Sequence, residues 1–148
     1  MKKVTVDARA FADAMSKVSK VLKKSALPML EEIAVSVKAG CCTLAATDMD
    51  TWLAAELPAQ GDDLSFVFQR TKDVMKACAH FEGELALTLD TEDKKNWKLE
   101  LHCEQRAATF TVASREDYPE CRTVENDASL CVNAAELFRS VERVRYAV

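Results

Sequence analysis

Basic side chains recur at helical spacing in three stretches of this sequence, each opposite a stripe of apolar residues. In residues 9–24 the apolar positions Phe11, Met15, Val18 and Leu22 fall on one side of a helix, and lysines fall on the other. The basic residues on the polar sides of the three stretches are Lys17, Lys20, Lys24, Lys72, Lys76, Arg139 and Arg143. Ammonium and guanidinium groups pair with phosphate oxygens, so the pattern predicts binding of a polyanion.

The formal charge is distributed unevenly between these stretches and the rest of the chain. Residues 9–24, 70–81 and 134–146 together carry a net charge of +7, whereas the whole chain carries −4 and the remainder therefore −11. A single lysine-rich helix face is usually only a solvated surface. Three helices of the same polarity in an acidic protein favour a surface that presents positive charge to a polyanion.

Residue patterns that carry catalysis are missing from the sequence. It contains no glycine-rich phosphate loop, no GxSxG motif and no HExxH motif. His102 and Cys103 are adjacent on a predicted strand and point to opposite faces, which argues against a shared metal. His80 is interpreted as an exposed side chain, and Asp48 and Asp50 flank a short turn, where such residues typically form the turn. We therefore predict a protein without catalytic residues, metal or cofactor.

The six cysteines show no CxxC pair and no regular spacing. Most have apolar neighbours, which favours buried thiols in a reducing compartment over disulfides. The opening MKKVTV lacks the apolar core of a secretory signal, and no apolar run approaches the roughly 20 residues that cross a bilayer. These observations predict a cytoplasmic protein with no membrane partner.

A strand, a turn and an amphipathic helix occur three times at a nearly constant interval. The predicted strand ends are Val6, Phe68 and Val132, which lie 62 and 64 residues apart. The first two helices are followed by three further alternating stretches each, so two complete β-α-β-β-β units are predicted. We expect units 1–62 and 63–124 to form one domain, and residues 125–148 to supply the first strand and helix of an incomplete second domain.

The predicted fold class is α+β, with helices on one face and antiparallel sheets on the other. Helices are expected near residues 9–22 and 71–81, side by side, with their apolar stripes on the strands. The strands are expected to form two sheets. A polar loop is predicted over Pro58–Asp63, between the two units.

The repeated units, together with a set of short motifs, make the sequence resemble the bacterial DNA polymerase III β subunit, the sliding clamp. The most specific combination is Leu27-Pro28-Met29-Leu30 with Thr47-Asp48, followed by Glu116-Asp117-Tyr118-Pro119. The resemblance implies the DNA-clamp fold, in which each domain pairs two β-α-β-β-β units. It further implies that three domains make a subunit and that two subunits close a ring around duplex DNA, with helices lining the hole.

The resemblance also implies roles for particular residues. In the clamp family a basic residue just before the Leu-Pro motif and one at the start of the second helix contact DNA, and Lys24 and Lys72 occupy those places. The expected function is that of a non-enzymatic processivity factor in DNA replication that binds duplex without sequence preference. Expected partners are duplex DNA and, within a longer subunit, a DNA polymerase, a clamp loader and a second copy of the chain.

Departures from the family pattern leave an alternative open. The family's polymerase-binding pocket lies between its second and third domains, and its subunit interface requires a third domain. Neither feature is expected from residues 1–148. The apolar side chains Leu137, Val141 and Val144 also need a covering sheet. A clamp-fold interaction or regulatory protein that does not encircle DNA is therefore the alternative, and the sequence decides neither ring formation nor the polymerase served.

Overall fold

A computed structural model describes residues 1–121, 125 and 128–148, and this part contains eight β-strands and three α-helices. The strands are β1 (Lys2–Asp7), β2 (Ile33–Lys38), β3 (Cys41–Thr47), β4 (Trp52–Gly61), β5 (Leu64–Phe68), β6 (Glu84–Asp90), β7 (Trp97–Cys103) and β8 (Arg106–Ala113). The helices are α1 (Ala8–Val18), α2 (Thr71–Cys78) and α3 (Ala134–Val144). One strand, one helix and three strands therefore follow one another twice.

All strand pairs are antiparallel, and the eight strands close into one barrel in the order β1-β4-β3-β2-β5-β8-β7-β6. The prediction of two sheets is wrong, because β1 pairs with β6 and β2 pairs with β5, which joins the strands of the two units. Exchanging β1–β4 for β5–β8 leaves the pairing pattern unchanged. The repeat in the sequence thus corresponds to an internal symmetry in strand pairing.

Both unit helices contribute to the core of this barrel. Asp7 caps α1 by accepting a hydrogen bond from the Ala10 N–H at 2.8 Å. The apolar stripe of α1 is buried, and α1 contacts α2. Phe11 of α1 lies edge to face with Phe68 of β5, with 6.5 Å between ring centroids. This contact joins the helix of the first unit to a strand of the second.

The connection between the units differs from the predicted loop. β4 continues past Pro58 because Ala59–Gly61 pair with Val4–Val6 of β1. Gly61 has φ of +127°, and a Cβ atom there would lie 2.3 Å from the Lys3 carbonyl oxygen. Glycine is required at this close approach of two backbones.

The segment after β8 packs on the outside of the barrel. Tyr118 is buried against Ala34 of β2 and Val67 of β5, and its hydroxyl donates to the Glu32 carbonyl at 3.2 Å. Burial, as the largest cause, raises the pKa of Tyr118 to about 12. The Glu116–Pro119 motif therefore attaches this segment to the sheet.

The third repeat is less complete than predicted. The strand expected at 130–132 is not formed, because no strand among the described residues pairs with it. Asn133 caps α3, and every residue of α3 is exposed, including Leu137, Val141 and Val144 at 52–58%. The predicted domain boundary at residue 124 lies outside the described residues, so the second domain stays a prediction.

The cysteines follow the sequence prediction in part. Cys42, Cys78 and Cys103 are buried, Cys41 is half-buried, and Cys131 is exposed. Burial raises the pKa of the Cys42 and Cys78 thiols to about 12. Among the described residues, no helix has the length and apolar character needed to cross a membrane.

Candidate nucleic-acid interface

A cavity of about 540 Å³ lies between the segment that follows α1 and the first turn of α2. Its lining residues are Ser19, Leu22, Lys23, Lys24, Glu31, Gln69, Arg70, Thr71, Lys72, Asp73 and Met75. Lys24 and Lys72, which the family resemblance singled out, are both among them. The fold therefore brings together two basic residues from different units of the chain.

The charges that line this cavity fall into paired and unpaired groups. The Lys23 ammonium lies 2.6 Å from an Asp48 carboxylate oxygen, and the Arg70 guanidinium lies 3.2 Å from Asp73. Lys24 and Lys72 make no ion pair within 4.0 Å anywhere in the described ranges, and both side chains are exposed. The two unpaired ammonium groups are thus available to an anion from outside.

The Lys23–Asp48 pair shifts the titration of both partners. The hydrogen bond from Lys23 is the largest cause that holds the pKa of the Asp48 carboxyl below its ordinary value. The same hydrogen bond raises the pKa of Lys23. Both groups are therefore charged at neutral pH, and Lys23 is already occupied by an internal anion.

The start of α2 adds a second source of positive potential. Arg70, Thr71, Lys72 and Asp73 of the first turn all line the cavity. The first N–H groups of a helix have no intrahelical acceptor, and the helix dipole places partial positive charge there. Arg70, at the N-cap position, makes no side-chain capping bond. A phosphate in the cavity would meet ammonium groups and a helix N-terminus together.

The Leu-Pro motif shapes the wall that carries Lys24. Pro28 occupies the first turn of a short 3-10 helix, Pro28–Glu31, where its fixed φ is favourable. Leu30 of this turn is buried, and its carbonyl accepts from the Lys23 N–H at 3.3 Å. The motif therefore returns the chain towards the end of α1 and fixes the backbone on one side of Lys24.

The other predicted binding residues lie outside this cavity. Lys17, Lys20 and Lys76 are exposed on or directly after α1 and on α2, and Arg139 and Arg143 are exposed on α3. None of the five lines the cavity. Their role in binding stays a prediction that rests on helical position.

Sequence reasoning missed part of this site. The sequence indicates Lys23 and Arg70 only as part of the helix charge, although both line the cavity. Asp48 forms a turn, as its sequence position predicts, but no local signal indicates its pairing with Lys23. By contrast, His102 is exposed and Cys103 is buried, so the expectation that they face opposite sides of β7 is confirmed.

No protein-family model and no curated protein matches the sequence. Solved structures do match. The DNA polymerase sliding clamp of Caulobacter crescentus has a TM-score of 0.86 at 20% identity, and the match covers 99% of this chain and 40% of that one. A putative DNA polymerase III β subunit from Eubacterium rectale has a TM-score of 0.85 at 16% identity, covering 95% and 38%. The DNA polymerase III subunit β of Pseudomonas aeruginosa has a TM-score of 0.83 at 16% identity, covering 97% and 39%.

These matches confirm the resemblance to sliding clamps that the sequence motifs indicated. At such low identity they establish the fold and nothing beyond it. The chain spans about two fifths of the length of each clamp that it matches. We conclude that the described residues have the fold of part of a bacterial DNA polymerase III β sliding clamp, built from antiparallel strands with α1 and α2 packed into their core.

Proposed function

We propose that this chain is a clamp-like processivity factor that binds duplex DNA through its basic helices and has no catalytic residues of its own. The observation that carries the proposal is the placement of Lys24 and Lys72, unpaired and exposed, in one cavity of a clamp fold. Lys17, Lys20, Lys76, Arg139 and Arg143 are proposed as further DNA contacts. In a longer subunit, the polymerase and clamp loader are proposed partners.

The proposed contacts are to phosphate oxygens, because a protein that moves along DNA gains nothing from reading base edges. Each lysine that neutralises a phosphate adds about 0.9 to the magnitude of the slope of log affinity against log salt. Four contacts, from Lys17, Lys20, Lys24 and Lys72, give a fall of roughly two orders of magnitude in affinity between 50 and 200 mM salt.

The test is duplex affinity across a salt series for wild type and for Lys24→Ala/Lys72→Ala. The double variant should flatten the slope by about 2, because two phosphate contacts are lost. The matched control is Lys94→Ala/Lys95→Ala, which removes the same charge from the exposed β6–β7 turn. It should leave the slope unchanged, since its lysines do not line the cavity.

Two results would contradict the proposal. Equal slopes for wild type and Lys24→Ala/Lys72→Ala would show that the helices are a solvated surface. Equal losses in the test and control variants would show a response to net charge alone. Either result favours the alternative, a clamp-fold interaction or regulatory protein, for which the exposed Leu137, Val141 and Val144 offer an apolar contact face.

A further inference from the structure

The carboxylate of Asp48 has more partners than a turn residue requires. One oxygen accepts hydrogen bonds from the backbone N–H groups of Thr51 at 2.7 Å and Asp50 at 3.2 Å. The other oxygen lies 2.6 Å from the Lys23 ammonium. The Asp48 side chain is only 8% exposed, whereas that of Lys23 is 69% exposed. The backbone hydrogen bonds therefore hold one carboxylate oxygen on the turn, and the other oxygen faces the segment that follows α1.

The turn that carries Asp48 is itself held from inside the protein. Thr47 is fully buried, and its hydroxyl donates to the Thr51 carbonyl at 2.8 Å while accepting from the Met49 N–H at 2.8 Å. Met49 has φ of +76°, a left-handed conformation that these bonds stabilise. The backbone that carries the Asp48 carboxylate is therefore held in place by hydrogen bonds.

Lys24 lies between two anchored neighbours. Lys23 is held by Asp48 through its side chain and by the Leu30 carbonyl through its N–H. On the other side, the Ser25 N–H donates to a Glu31 carboxylate oxygen at 3.1 Å. Lys24 itself makes no ion pair with any described residue. Its place on the cavity wall is therefore set by the bonds of Lys23 and Ser25.

We propose that Asp48 is a positioning residue, which fixes Lys23 so that the adjacent Lys24 faces the cavity shared with Lys72. Its consequence for DNA rests on the proposed function. The Thr47-Asp48 turn and the Leu-Pro turn then act on the same segment, one through the side chain of Lys23 and the other through its backbone.

The sign of the effect of Asp48→Asn on binding separates this role from simple electrostatics. Removing a negative charge and freeing Lys23 would by themselves strengthen DNA binding and steepen the salt slope by about 0.9. If Lys24 no longer faces the cavity, its phosphate contact is lost, which weakens duplex binding and flattens the salt slope. Under the positioning role, a Lys23 released from Asp48 is no longer held at the cavity and gains no phosphate there. We therefore expect Asp48→Asn to weaken duplex binding and to flatten the slope towards that of Lys24→Ala.

The experiment measures duplex affinity across 50–200 mM salt for Asp48→Asn, Lys24→Ala and the double variant. In the Lys24→Ala background, Asp48→Asn should cause no further loss, because it acts through Lys24. Asp50→Asn is the matched control, since it removes the same charge from the same turn but breaks no side-chain bond. It should not weaken binding. Tighter binding, or a slope for Asp48→Asn that is steeper than or equal to that of wild type, would overturn the proposal.

Amide hydrogen exchange without DNA provides a second readout. Asp48→Asn should increase exchange at Lys23 and Ser25 relative to Asp50→Asn, while the core strands β2 and β6 keep their protection. Unchanged exchange at Lys23 and Ser25 would overturn the positioning role. If wild type fails to bind duplex, the proposed function is wrong, and the exchange result still decides whether Asp48 holds this segment.

Discussion

Raising the pH from 8 to 10 should destabilise this protein through two buried thiols. Cys42 lies on β3 and Cys78 on α2, at 0% and 1% exposure, and burial is the largest cause that raises the pKa of each from an ordinary 9.0 to about 12. The folded state therefore favours the protonated thiols. The stability linked to them is complete below pH 9 and is lost as the pH rises towards 12, because only the unfolded chain releases these protons freely.

The size of the effect follows from the shift in pKa. Each pH unit between the unfolded and folded pKa values of a group changes the free energy of unfolding by about 1.4 kcal/mol. At pH 10, one unit above the ordinary value, each thiol therefore costs about 1.4 kcal/mol, and the two together about 3 kcal/mol. Since small domains have about 5–15 kcal/mol of total stability, this loss is readily measured.

The assay is urea denaturation at pH 8, 9 and 10 under reducing conditions, for wild type, Cys42→Ala and Cys78→Ala. Each variant loses a packed sulfur atom at every pH, so the comparison is between pH values within one variant. Each should lose about 1.4 kcal/mol less than wild type between pH 8 and 10. Cys131→Ala removes an exposed thiol and should show the wild-type loss. An alkaline loss that is the same in wild type, Cys42→Ala and Cys78→Ala would refute the reasoning.

Two pairs of substitutions test the packing of the fold. Gly61→Ala should lower the free energy of unfolding by on the order of 3 kcal/mol or more, because its Cβ would lie 2.3 Å from the Lys3 carbonyl oxygen. A Cβ atom at Gly83 would meet no described atom within 4 Å, so Gly83→Ala should cost only about 1 kcal/mol for its positive φ. Equal shifts in the urea midpoint would contradict the steric argument. Phe68→Ala should cost roughly 4 kcal/mol, because its ring is fully buried, and Phe138→Ala, at 65% exposure, less than about 0.5 kcal/mol. If calorimetry shows similar losses of unfolding free energy for Phe68→Ala and Phe138→Ala, Phe68 does not belong to the core.

The elements of the fold were predictable from the sequence because their signals are local. Alternation over Glu84–Asp90 predicts a strand whose alternate residues are buried, as the structure shows. Ile33–Lys38 also forms a strand, although Ala34 is buried there as well because Tyr118 covers it. The closure of the barrel was not predictable in this way. It depends on pairing between β1 and β6 and between β2 and β5, which are far apart in the chain. The extension of β4 to Gly61 depends likewise on β1, which no local pattern encodes.

The candidate site shows the same division between local and distant information. The sequence placed Lys24 and Lys72 by motif and helix position, and the structure places both on one cavity. Which neighbouring cation is free depends on the distant Asp48, which pairs with Lys23 rather than Lys24. A net charge summed over helices counts these two lysines equally. Only the folded structure distinguishes the paired lysine from the unpaired one.

Paired and unpaired cations at this cavity have different consequences for binding. Lys23 and Arg70 are matched by Asp48 and Asp73, so an incoming phosphate would have to compete with a carboxylate already within 4.0 Å. Lys24 requires no such exchange. The salt slope counts only cations that gain a phosphate, and it should therefore fall below the value given by the total helix charge. An acidic chain with few unpaired cations is therefore expected to bind a polyanion weakly.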